Sequence, residues 1–187
     1  EIEPGDWSSD VCSSDLLQLS ETEQISFMRI LGIDPGYAIV GFGILDYDGV
    51  NFTPIEYGAV LTEAGTPFPE RLKCINEDIE FIFNKFKPDC MAIERLYFTS
   101  NQKTAIDVAQ ARGVTVLSAA KRNVPVYEYT PLQVKQAVVG YGKAEKKQVM
   151  EMTRSILRLA NIPKPDDAAD ALAIAICHGH SFRFDMF

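Results

Sequence analysis

Four carboxylates stand where carboxylates can do chemistry. Asp34 closes the apolar run ILGID and Glu94 closes MAIE. Asp167 and Asp170 head the segment DDAADALAIAICHGH, which is apolar almost throughout from Ala171 to Cys177. In an open α/β sheet, ligands collect at the carboxyl ends of parallel strands, so Asp34 and Glu94 meet there if their strands are neighbours. Asp167 and Asp170, spaced i, i+3, share one side of a helix start. Four ionised carboxylates cannot share a dry site unaided, because like charges disfavour ionisation. A hard divalent cation such as Mg²⁺ takes oxygen ligands and keeps positions for water and phosphate oxygens. Two such ions about 3.5–4 Å apart clamp the attacking and leaving oxygens of a phosphodiester displacement. Each acid alone has a plainer reading. Asp34 precedes Pro35-Gly36 and could initiate a turn, Glu94 could be a surface acid, and the aspartates could serve a helix end. The joint pattern is more specific than any member.

The elements that must position these acids can be read from periodicity and punctuation. MRILGID (28–34), IVGFGILDY (39–47) and PIEYGAVLT (54–62) read as strands, with Asp48-Gly49 as a hairpin turn, which makes an antiparallel meander. Leu72, Ile75, Ile79, Ile82, Phe83 and Phe86 recur at helical spacing from about Pro69 to Phe86. DCMAIE (89–94) reads as a strand buried on both faces. A helix is expected from about Lys103 to Lys121, with Gly113 a candidate interruption. VPVYEY (124–129) is the fifth strand, and Pro131 opens a short helix that ends before Gly140. Val149, Met152, Ile156 and Leu159 mark another helix, and Pro163-Lys164-Pro165 leads into the last one. In that helix Asp166 is the expected cap, Asp167 lies in the first turn and Asp170 just beyond. The fold class is α/β, a mixed five-stranded sheet flanked by helices. Right-handed crossovers set strands 28–34, 89–94 and 124–129 side by side at its centre.

Composition narrows the classes. The 187 residues suit one domain, and 47% hydrophobic and 24% charged content are ordinary for a globular protein. No run of about 18 apolar residues suggests a transmembrane helix, and the N-terminus does not read as a signal peptide. Residues 1–27 are Ser/Asp-rich, nearly repeat SSD, and read as a foreign or disordered extension ahead of Met28; 28–182 form the domain and 183–187 a short tail. Seven of the 26 acids lie in that extension with no Lys or Arg, so the net charge of −8 becomes 19 acids against 18 bases beyond it. A near-neutral domain argues weakly against nucleic acid as a partner, unless a local patch gathers bases such as Arg71, Lys103, Arg112, Lys135, Lys143, Lys146 and Lys147. Cys12, Cys74, Cys90 and Cys177 show no CxxC pairing, three of them sit in apolar patterns, and they read as reduced core thiols in a cytoplasmic protein. His178 and His180 suit a dipole-compensating helix end better than a metal site.

Five motifs occur in order: ILGIDPG, AIERLYF, DVAQARGV, TPLQVKQAVVGYGKAEKKQV and DDAADALAIAICH. Together they resemble the RuvC family of Holliday junction resolvases, bacterial endonucleases with an RNase H-like fold, over roughly residues 28–180. The resemblance implies a homodimer that binds a four-way DNA junction and nicks two strands symmetrically with Mg²⁺, in recombination and repair. A junction-migrating RuvA-RuvB complex would be its partner. Asp34, Glu94, Asp167 and Asp170 match the family's metal-binding acids. Lys135 and Lys146 match basic residues that handle DNA and the scissile phosphate. Tyr97 falls where relatives carry a phenylalanine that stacks on a base, and Arg95 where many carry glutamine. Arg95, beside Glu94, could bind phosphate or depress the carboxylate's pKa. The implied mechanism is in-line attack by a metal-activated water, leaving 5′-phosphate and 3′-hydroxyl ends. In it, Asp34 would bridge two Mg²⁺ ions, for which Mn²⁺ can substitute; Glu94 would ligate one, and Asp167 or Asp170 the other. Lys146 would offset charge in the transition state.

Three rivals differ in class. An actin-like ATPase would share a GIDPG-like loop but needs further nucleotide motifs, and GYGKAEK lacks the Ser or Thr that completes a P-loop. Another RNase H-like nuclease, acting on RNA or other branched nucleic acid, is the closer alternative. A junction-binding module without catalysis would not need all four acids.

Overall fold

The computed structural model describes residues 27–96 and 102–182. Residues 1–26 with Cys12, the segment 97–101 with Tyr97, the Lys103 side chain and residues 183–187 lie outside that description, and with them the expectations for the extension, the stacking aromatic and the tail.

The elements run β1 (Met28–Asp34), β2 (Ile39–Tyr47), β3 (Phe52–Leu61), α1 (Phe68–Phe86), β4 (Cys90–Glu94), α2 (Gln102–Ala120), β5 (Val126–Tyr129), α3 (Pro131–Val139), α4 (Lys146–Ile156) and α5 (Asp166–Ser181). One sheet has the order β3-β2-β1-β4-β5. The β1–β2 and β2–β3 pairs are antiparallel, while β1–β4 and β4–β5 are parallel. The three parallel strands are neighbours as expected. They are not all central, however, because after β5 the chain turns to three helices and leaves that strand at the edge. Two further boundaries differ from expectation. Helix α2 runs through Gly113 without a break, held by buried Ala111, Thr115, Ser118 and Ala119 on its packed side. Helix α4 stops at Ile156, and Arg158 takes a left-handed backbone (φ 53°) that turns Leu159 back against the core.

Strand alternation divides the core into two faces. Ile30 of β1, Leu45 and Tyr47 of β2, and Cys90 and Ala92 of β4 point to the side covered by α3, α4 and α5. Leu31, Ile33, Ile44, Met91 and Ile93 point to the other, against Ile75, Ile79, Ile82 and Phe83 of α1 and Ala111 and Ala119 of α2. Helix α5 is buried from Ala171 to Gly179, as a helix apolar all round must be. It lies on β1 and β2 with α3 and α4 against it. Its approach is close because the strands beneath lack side chains where it crosses. A Cβ on Gly41 would overlap the backbone carbonyl oxygen of Asp167, and one on Gly32 that of Ala171.

The end of α5 departs from expectation. His178 is fully buried rather than positioned to offset the helix dipole. Its Nδ1 is 2.8 Å from the Tyr129 hydroxyl, its Nε2 has no hydrogen-bond partner among the described residues, and burial pushes its pKa down to about 4. The imidazole is therefore neutral in the fold. Because the unfolded chain binds that proton near pH 6.5, the stability His178 contributes is complete above that pH and is lost as pH falls toward 4. The loss amounts to about 3 kcal/mol. Urea unfolding at pH 7.5 and pH 4 should show a His178→Asn chain less acid-sensitive than the parent by roughly that amount; equal sensitivity would contradict the neutral assignment. Cys90 and Cys177 are free and buried, their thiols raised to about 12 and about 11 by burial, whereas Cys74 is only half-buried, on α1, and is not a core thiol.

Candidate active site

In the parallel β1–β4 pair Ile33 is in register with Ile93, so Asp34 and Glu94 follow side by side at the ends of their strands. Both share the parity of Ile30, Gly32, Cys90 and Ala92, and therefore face α5. Helix α5 brings Asp170 to the same place. Helix α3 starts at a capping box, with Gln133 N donating to Thr130 Oγ1 (3.1 Å) and Thr130 N to Gln133 Oε1 (2.9 Å), and this fixes the helix that carries Lys135. Lys146 is the first residue of α4.

These elements line an open cavity of about 250 Å³ whose charged lining is Asp34, Glu94, Asp170, Lys135 and Lys146, with Val134, Val149 and Ile174 as apolar wall. Asp167 does not line it. That residue sits one turn earlier on α5, over Gly41, yet near enough to act on Asp34 electrostatically. The Asp34 carboxyl is pushed up to about 7, first by burial, then by the charges of Glu94, Asp170 and Asp167, against a lowering pull from Lys146. Glu94 is raised by burial and then by Asp170, with Lys146 and Lys135 opposing. Lys146 Nζ lies 2.8 Å from Asp170 Oδ2, and that hydrogen bond raises the Lys146 pKa.

The donor set is all hard oxygen, and its crowding is of the kind that divalent charge relieves. As the side chains stand, no group of three or more His, Cys, Asp or Glu among the described residues is arranged to hold a metal ion. One Asp170 oxygen is taken by Lys146. The residues therefore fit a divalent ion by chemistry, with side-chain adjustment needed to grip one.

Several expectations need correction. Asp166 does not cap α5. Pro165 occupies the N-cap position, and Asp166 is the first helical residue, its carboxylate bonded to Lys164 Nζ at 2.7 Å and lowered by it. Arg95 does not depress Glu94, whose carboxyl is raised. One residue further along the strand direction, Arg95 has the opposite parity. Its backbone N donates to Tyr129 O (2.8 Å), and its exposed guanidinium is 3.9 Å from Glu128 on the α2 side of the sheet. The anticipated basic patch also divides. Lys135, Lys143, Lys146 and Lys147 lie on or between α3 and α4, whereas Arg71 bonds Thr62 and stacks over Tyr37, and Arg112 points inward. Neither His178 nor His180 lines the cavity. What sequence reasoning missed is the Arg112–Glu128 pair beneath Glu94. Alternation along β5 could have placed Glu128 on that face, but nothing local revealed its partner.

A mixed sheet of this order, with acids at two adjacent parallel strand ends and on the helix that crosses them, defines an RNase H-like α/β protein with an acidic centre. The family model for the crossover junction endodeoxyribonuclease RuvC matches residues 30–178. RuvC of Brevibacillus brevis is 59% identical over 157 residues, which is 84% of this chain and 95% of the relative. RuvC of Ruminiclostridium cellulolyticum is 54% identical over 83% of this chain and 94% of its own length. Among solved structures, T. thermophilus RuvC in complex with a Holliday junction substrate superposes with a TM-score of 0.79 at 35% identity, over 82% of this chain and 94% of that one. The chain belongs to the RuvC family of crossover junction endodeoxyribonucleases. The yeast mitochondrial Holliday junction resolvase Ydc2, at 16% identity and a TM-score of 0.61, shares the fold.

Proposed function

We propose that this chain resolves four-way DNA junctions by metal-assisted hydrolysis of two symmetrically placed phosphodiesters, acting as a homodimer alongside a junction-migrating ATPase complex in the bacterial cytoplasm. The observation that carries the reading is the β1–β4 register, which sets Asp34 beside Glu94 in a cavity shared with Asp170, Lys135 and Lys146. Asp34, Glu94 and Asp170, with Asp167 from the preceding turn, would hold two Mg²⁺ ions, or Mn²⁺ in their place. Bound there, the ions supply Lewis acidity to the phosphate and an activated water at neutral pH. The remaining work falls to the protein. Lys146, already drawn to the acids, presents an ammonium at the cavity where the phosphorane's charge develops. Lys135 faces the same space from α3 and meets the DNA backbone. The apolar wall of Val134, Val149 and Ile174 closes one side of the cavity and lowers the local dielectric beside the charges. Lys143, Lys147 and, on the far face, exposed Arg95 extend the phosphate contacts, and Tyr97 supplies the stacking aromatic.

The test is cleavage of a synthetic four-way junction by the full chain. Paired nicks bearing 5′-phosphate ends with Mg²⁺, and none with EDTA, are expected. Cleavage of RNA or plain duplex as fast as junction would favour the alternative nuclease reading. Junction affinity should also fall steeply with salt, by about 0.9 log per log unit for each phosphate neutralised. A flat response would contradict the lysine assignments.

A further inference from the structure

The motif DVAQARGV on α2 carries a basic residue that the mechanism above leaves without a task. Arg112 was a candidate for a DNA-facing patch, yet its side chain is only 18% exposed. It reaches under the sheet to the end of β4, which carries Glu94, and to β5 beside it. Its Nη2 donates to Glu128 Oε1 on β5 at 2.6 Å, and its Nε to the backbone carbonyl of Glu94 on β4 at 3.4 Å. The ladder between those strands continues one step past Glu94, where Arg95 N donates to Tyr129 O. Arg95 offers Glu128 only a 3.9 Å, largely solvent-exposed contact, so Arg112 is the principal partner of that carboxylate.

We infer that Arg112 is a positioning residue for the reaction: from α2 it ties the end of β4 to β5 and so fixes where Glu94 presents its carboxylate. The physical reasons are three. Glu94 is the last residue of a five-residue strand whose ladder to β5 runs only one step beyond it, and such ends are where local opening starts. A guanidinium presents several donors in a rigid fork and can bind a carboxylate and a carbonyl together, which a lysine cannot do with one point charge. And Glu94 faces away from Arg112, so the arginine acts on the backbone from beneath and leaves the cavity's charge balance to Lys135 and Lys146. A misplacement of about 1 Å at a group that must meet substrate and ion together can cost a hundredfold in rate.

The inference rests on the metal-site reading, and the experiment separates the two. Mn²⁺ binding to the full chain without DNA is followed by electron paramagnetic resonance, and junction cleavage under saturating metal is followed in parallel. In Arg112→Met we expect kcat to fall by about 10–100-fold with KM for the junction within twofold, and Mn²⁺ affinity to weaken by about tenfold. Arg112→Lys should recover part of the Mn²⁺ affinity, and Glu128→Gln should shift both quantities the same way by less. Lower thermal stability in Arg112→Met with unchanged kcat and Mn²⁺ affinity would overturn the inference, leaving the arginine purely structural. A raised KM with unchanged kcat would also overturn it, in favour of a DNA contact. If Asp34→Asn and Asp170→Asn bind Mn²⁺ as the parent does, the metal-site reading itself fails, whatever the arginine variants do.

Discussion

Asp34→Asn should abolish junction nicking, by at least about 10³-fold, and at the same time make the metal-free chain more stable. The first effect follows from removing the charged donor at the centre of the cluster, between Glu94 on the next strand and Asp170 on α5. Electrostatic stabilisation of a transition state is commonly the largest catalytic contribution, and one preorganised group can be worth 10²–10³ on its own. The second effect follows from the same crowding. The carboxyl has a pKa of about 7 in the fold against 3.8 ordinarily. Between those values the folded chain holds a proton that the unfolded chain has released, so stability falls as pH rises and the cost is complete above pH 7. Allowing for partial solvent screening at a half-buried side chain, it amounts to about 2–4 kcal/mol. Asparagine carries no such cost. In EDTA, the variant's gain should be absent near pH 4 and full at pH 8 in denaturant unfolding. A variant no more stable at pH 8 would mean that Asp34 is not crowded in solution. Retained nicking would remove it from the chemistry altogether.

Gly41→Ala should be strongly destabilising for a change of one methyl group. A Cβ there has no room, because the backbone of Asp167 already lies against the Gly41 Cα. Overpacking in a well-packed core costs about 1–3 kcal/mol where side chains can yield. Here the obstacle is the backbone of a helix locked between the sheet and α3 and α4, so a loss of about 3 kcal/mol or more is expected. The displacement would fall on Asp167 first and Asp170 next, so nicking should drop by more than the folded fraction explains. Thermal unfolding together with single-turnover cleavage well below the midpoint checks both. A variant with parental stability and rate would show that α5 rides higher on the sheet than described.

How much of this was legible in the sequence differs by element. The β1–β4 site could be read because its two strands end in acids after uniformly apolar runs, and because a crossover through α1 leaves one sensible placement for β4. Helix α5 could be read as buried because it is apolar on every side. The glycines at 32, 41 and 43 gave no such signal: in a strand they resemble ordinary small residues until the helix above them is known. Asp166 was misjudged because capping preference is local, while Pro165 and Lys164 together decided which residue begins the helix. Of the two roles open to Arg95, strand alternation removes the one at Glu94, which adjacency in sequence alone suggests. His178 was misjudged because a helix-end histidine is ordinarily wet, and only the placement of Tyr129 on β5 shows that this one is sealed in.

The position of α5 in chain order also bears on biosynthesis. During translation the segments of the sheet, residues 28–129, emerge first, and the part of its face that α5 covers stays bare until the segment 166–181 has left the ribosome. Asp34 then waits for a partner 136 positions away (170 less 34), a contact of long sequence separation that forms late. A chain that ends before Asp170 lacks one wall of the acidic cavity. The acidic cavity is thus completed together with the final packing of the chain.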